Sequence, residues 1–141
     1  MSHGKARNLD RILENLMRKS GGRFDSCVVT NERGLVVAWK GNNGVSHDAL
    51  AAMMSLFSET SRRINTNLHI GDLRTASIKT IDATLSLHEF MVNDRAFRIA
   101  AILNEEQKKR FSFFRRGMTL TRMQENINTA AFQIKAALER R

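Results

Sequence analysis

Cys27-Val28-Val29-Thr30-Asn31-Glu32-Arg33-Gly34-Leu35-Val36-Val37-Ala38 is an apolar run, a polar tetrad closed by glycine, and a second apolar run. Such a pattern predicts a β-hairpin, with the glycine where the turn needs positive φ. The strands read as Phe24 to Thr30 and Leu35 to Lys40, with Asn31-Glu32-Arg33-Gly34 as the turn. In the second strand Leu35, Val37 and Trp39 alternate with Val36 and Ala38, so both faces are apolar. A strand apolar on both faces is covered on both, which predicts helices on each side of the sheet.

Upstream, Leu9, Ile12, Leu13, Leu16 and Met17 fall on one face of an amphipathic helix, stopped by Ser20-Gly21-Gly22. Arg18 and Lys19 occupy its last turn, where cations suit the helix dipole. Downstream, Gly41-Asn42-Asn43-Gly44 reads as a loop. Ser46 then caps a helix over residues 47–65, with Asp48 in its first turn. Leu50, Met53, Met54, Leu56, Phe57 and Ile64 give that helix an apolar arc wider than one sheet contact requires, so a second surface must cover part of it. Three strands follow, Leu73–Ile81, Thr84–Asn93 and Ala96–Leu103, the last two joined by the type I′ dipeptide Asn93-Asp94. The first of the three is polar on both faces and reads as a sheet edge. A last helix spans Met118 to Leu138, with Met123, Ile127, Ala130, Ala131, Ile134, Ala137 and Leu138 as its stripe.

With 141 residues and no internal repeat, the chain is expected to form a single domain over 1–141. The start has no apolar h-region and no apolar run approaches a membrane span, so a cytoplasmic location is expected. A lone cysteine, Cys27, excludes an internal disulfide and a cysteine zinc site, and within Cys27-Val28-Val29 it reads as a buried small hydrophobe. No phosphate-binding loop or dinucleotide fingerprint is present. The four histidines have no partner at metal-ligand spacing, and His88 and Glu89 are strand neighbours that face opposite ways. No convergent polar set exists, so no enzymatic activity and no cofactor are expected.

Charge is unevenly placed. Residues 1–23 hold six basic and two acidic side chains, a net of +4; residues 24–104 hold eight of each; residues 105–141 hold nine and four, a net of +5. Lys108, Lys109, Arg110, Arg115 and Arg116 flank Phe111, Phe113 and Phe114, a combination suited either to a solvated helix start or to an anionic surface, membrane or nucleic acid.

The order αββαβββα resembles the Roadblock/dynein-light-chain family over about residues 8–138. The resemblance is carried by Leu9-Asp10-Arg11-Ile12-Leu13-Glu14-Asn15-Leu16, by the hairpin quoted first, by His47-Asp48-Ala49-Leu50-Ala51-Ala52-Met53-Met54, and by the pair Phe90-Met91-Val92-Asn93 and Ile99-Ala100-Ala101-Ile102-Leu103. It implies an α+β fold: a five-stranded antiparallel sheet with the middle helix on one face and the first and last helices together on the other. Members of the family dimerise through the middle helix and third strand. That implies a homodimer here, with Leu50, Met53, Met54, Phe57, Arg74, Ala76 and Ile78 at the interface. Family members are non-enzymatic platforms for Ras-like small GTPases, and some stimulate GTP hydrolysis. That implies a GTPase contact on the middle-helix face, at polar residues such as Glu59, Arg62 and Arg63, with no donated arginine finger. Residues 104–116 are longer and more basic than the family's usual link. If the first and last helices share a face, the two basic ends merge into one field, and the chain would act as an anionic-surface adaptor.

Overall fold

The structure, a computed structural model, describes residues 3–20, 24–41, 46–104 and 120–139. Helix α1 (His3–Lys19) is followed by β1 (Phe24–Thr30), β2 (Val36–Gly41), α2 (His47–Leu68), β3 (Thr75–Lys79), β4 (Ala83–Val92), β5 (Arg95–Asn104) and α3 (Leu120–Glu139). The strands form one antiparallel sheet in the order β2-β1-β5-β4-β3.

Local chemistry explains the turns. Asn31 organises the first hairpin: its Oδ1 accepts from the backbone N–H of Arg33 and Leu35, and Gly34 takes φ 82°. Asn93 and Asp94 adopt φ 48° and 65°, as a type I′ turn demands, and leave Val92 paired with Arg95.

Alternation along the strands splits the core in two. Cys27, Val29, Ile99, Ala101, Phe90 and Val92 pack with Leu9, Leu13 and Leu16 of α1 and with Met123, Ile127 and Ile134 of α3. Val28, Ala100 and Leu87 pack with Leu50 and Met54 of α2. α1 and α3 therefore lie together on one face and α2 on the other, as expected. Lys5 of α1 reaches across to donate to the Leu138 carbonyl of α3. Cys27 is a buried free thiol whose pKa is pushed up to about 12 by burial.

Boundaries shift where tertiary context acts. α2 runs past the expected end at Asn65 to Leu68, because Asn65 ties the exit down. Its carbonyl accepts from His69, its Oδ1 accepts from the Gly71 N–H at 2.7 Å, and its Nδ2 donates to Asp72. β3 is confined to Thr75–Lys79 rather than Leu73–Ile81, since the backbone at Thr80 turns back onto Ala83. β2 is an edge strand, so its expected cover on both faces is incomplete: Ala38 is buried, whereas Leu35 and Trp39 are exposed. The loop after Gly41 and the glycines ending α1 lie outside the described residues.

Candidate interaction surface

α2 carries most of the sites inferred from sequence, and its wheel sorts them. Ser46 Oγ caps it by accepting from the Ala49 N–H at 3.2 Å. At about 100° per residue, Leu50, Ala51, Met54 and Ser58 form one buried stripe, seated on the sheet. The side toward β2 is marked by two contacts. Trp39 stacks on His47 with centroids 4.4 Å apart, and Ser55 sits where a Cβ on Gly34 would be. Met53, Phe57, Ile64 and Leu68 take the opposite flank.

That opposite flank is apolar and bare. Met53 is 61% exposed, Ile64 45% and Leu68 63%, and Leu56 stands at the crest at 69%. The flank faces the β4–β3 end of the sheet, because α2 lies mainly over β1 and β2. There Ala76, Leu85 and Ile102 are only half-buried, and Ile78 is exposed. The first half of that flank, at Met53, and the sheet face make an apolar trough, closed on one side by α2 and open beyond β3; Ile64 and Leu68 continue the exposed flank past it. The outer edge of β3 has no strand partner among the described residues.

The expected interface residues divide accordingly. Met53 is exposed and Phe57 half-buried on the trough side. Ala76 and Ile78 lie on the same sheet face, and Arg74, just ahead of β3, is exposed and accepts from the Glu89 N–H through its carbonyl. Leu50 and Met54 are corrections. They are 4% and 1% exposed, packed on Val28, Leu87 and Ala100, and so belong to the chain's own core. Sequence alone reveals an arc of apolar residues, and only docking on the sheet shows which part is spent on the core. Leu56 and Ile64, by contrast, are exposed members of that arc left out of the expected interface, and Leu68 adds to them because the helix runs past Asn65.

Glu59, Arg62 and Arg63 are brought together on the β2 side and crest of α2. Arg62 Nη2 is 2.7 Å from Glu59 Oε2, and Arg63 Nε is 3.7 Å from Glu59 Oε1. All three are solvated, so their mutual attraction contributes little stability. They span the crest of α2, and the Arg62 guanidinium is near enough to Glu89 of β4 for its charge to act on that carboxylate. Lys108, Lys109, Arg110, Arg115 and Arg116 lie outside the described residues.

One group went unnoticed in the sequence. Thr30, Glu89 and Arg98 are direct cross-strand neighbours on the α2 face, in register Thr30↔Arg98↔Glu89. Arg98 is 7% exposed, and its Nε stands 3.9 Å from Glu89 Oε1, too far for a hydrogen bond. Burial raises the pKa of Glu89 above the ordinary carboxylate value; Arg98 and Arg62 oppose that shift without cancelling it, and Asp72 adds to it. The only sequence signal was an opposed Glu–Arg pair, readable once the Asn93-Asp94 turn sets the register.

No family model matches the chain, and no curated protein matches it in sequence. Solved structures do match its shape. MglB of Myxococcus xanthus superposes with a TM-score of 0.77 at 10% identity, over 99% of this chain and 93% of that one. The gliding protein mglB from Thermus Thermophilus gives 0.77 at 12% identity, over 99% and 94%. The Roadblock/LC7 domain from Streptomyces avermitilis gives 0.66 at 17% identity, over 90% and 92%. The chain has the Roadblock/LC7 fold.

Proposed function

We propose that this chain is a non-enzymatic, cytoplasmic homodimeric platform that binds a Ras-like small GTPase and regulates its GTP hydrolysis. The trough carries the reading: an exposed apolar helix flank beside an open sheet face and a bare strand edge. A second copy related by a two-fold axis would lay its own α2 into the trough and pair β3 with β3. One isologous contact would then satisfy the edge backbone and bury the surplus apolar arc. The GTPase contact follows from the family resemblance, and Glu59, Arg62 and Arg63 suit it because dimerisation leaves them in solvent.

Light scattering at micromolar concentration tests the first half, and a 16 kDa species would end it. The second half is tested by titrating the dimer with small GTPases from the native lysate, loaded with a GTP analogue or GDP. Binding that depends on the nucleotide is expected.

A second reading draws on the packing of α1 against α3. Arg7, Arg11, Arg18 and Lys19 are exposed on α1, and Arg122 is exposed on α3 on the same sheet face. We infer an anionic-surface contact there, weaker than the dimer, with each cation contributing about 1 kcal/mol near an anionic membrane. Co-sedimentation with anionic against neutral vesicles over a salt series tests it.

A further inference from the structure

The seat of α2 changes character halfway along. Under Leu50 and Met54 the sheet offers Val28, Leu87 and Ala100, and the contact is wholly apolar. Two residues further along each strand it offers Thr30, Glu89 and Arg98, and one turn further along α2 it meets Ser58, 8% exposed. In this second half Thr30 Oγ1, Ser58 Oγ, Arg98 Nε and Arg98 Nη1 are buried with no hydrogen-bond partner among the described residues. Desolvating hydroxyls and a guanidinium without new bonds is unfavourable, and a buried ion pair repays its desolvation only with good geometry. At 3.9 Å the Arg98–Glu89 pair lacks it.

The helix is also softened between its halves. Ser55 Oγ donates to the Ala51 carbonyl and Thr60 Oγ1 to the Leu56 carbonyl, contacts that compete with the helix ladder and favour bending. Its end, by contrast, is locked by Asn65, so motion there would carry a whole turn-capped segment rather than fray it.

We propose that residues 58–68 of α2 form a movable arm, seated on the polar latch Thr30–Ser58–Glu89–Arg98, which lifts while the rest of the fold stays closed. Lifting gives the four unmet donors to water and leaves the apolar seat of Leu50 and Met54 in place. The arm carries Arg62 and Arg63, and Glu59 adjoins it, so a partner that binds the seated arm better would shift it toward the seated state. Only that use rests on the platform reading.

The chain carries its own clock for the test. Cys27 lies in the opposite core layer, free and buried, and serves as the reference for opening of that layer. Ser58→Cys in the full chain, without any partner, is labelled with a thiol-specific disulfide reagent under native conditions. The introduced thiol is expected to react at least about tenfold faster than Cys27 in the same molecule. Adding Glu89→Leu with Arg98→Leu, which makes the latch apolar, is expected to slow the introduced thiol by about tenfold and leave Cys27 no faster. Equal rates at the two thiols, or a rate at position 58 indifferent to the apolar latch, would overturn the arm. Thr30→Val needs no added thiol: an unmet hydroxyl replaced by an isosteric methyl leaves the melting temperature equal or higher. A lower one means that the hydroxyl has a partner, and overturns the latch. Failure to find a GTPase leaves these results untouched, and equal labelling rates leave the platform reading standing.

Discussion

The two flanks of α2 are built from one amphipathic sequence and do opposite things. Toward β2 the flank is polar and closed: Ser55 abuts the Gly34 turn and His47 stacks under Trp39, while at the crest Arg62 and Arg63 share the single carboxylate of Glu59. Toward β3 it is apolar and open: Met53 is exposed on the half of α2 seated over the apolar part of the sheet, where Leu85 and Ile102 are half-buried, and Ile64 and Leu68 are exposed beyond Ser58. A monomer gains nothing from leaving such a trough in water, since each square ångström of apolar surface buried is worth about 25 cal/mol. On the proposed reading, the asymmetry gives self-association to one flank and leaves the other for a different partner.

The sharpest test separates the seated stripe from the open flank. Met54→Ala should cost about 2–5 kcal/mol of stability in chemical denaturation, because it leaves a cavity against Val28 and Leu87. Met53→Ala, one residue earlier, should change the stability of the monomer by no more than about 0.5 kcal/mol. Similar losses at both positions would erase the distinction between seat and flank.

Met53→Glu with Ile64→Glu should weaken the dimer by about 100-fold, about 2.7 kcal/mol, in sedimentation equilibrium, because carboxylates placed on the exposed apolar flank lose water on association. The same pair should leave the circular dichroism of the monomer unchanged. A dimer indifferent to both charges would move the interface elsewhere.

On the closed flank, Gly34→Ala should cost about 1–3 kcal/mol in thermal or chemical unfolding. At φ 82° an L residue is strained, and its Cβ would collide with Ser55. Retained stability would show that the turn and α2 separate easily.

The smallest effect belongs to the surface charges. Arg62→Glu with Arg63→Glu should weaken GTPase binding by about tenfold, about 1.4 kcal/mol, with dimer affinity unchanged. Unaltered binding would clear the polar flank of that role, and a weakened dimer would show that the two flanks are not independent.

Much of this architecture could be read without coordinates, because its determinants are local. Asn31 to Gly34 and Asn93-Asp94 specify their turns through side-chain acceptance and tolerance of positive φ. Ser46 specifies the start of α2 by capping it, and the period of the apolar residues specifies helix or strand. Each acts within a few residues, so element order, the two hairpins and the resemblance to the Roadblock family were all legible.

The candidate surface was legible only as an excess of apolar residues on one helix. Leu50 and Met54 were indistinguishable from Met53 until the helix lay on the sheet, because the wheel gives angles between residues but not the direction of the core. The same holds for Thr30, Ser58, Glu89 and Arg98, which are distant in sequence and meet through strand register and the path of α2 over the sheet. Propensity and capping are properties of neighbours along the chain. Which atoms lose water is a property of packing, and in this protein packing alone decided where the trough lies and which polar groups are trapped beneath the helix.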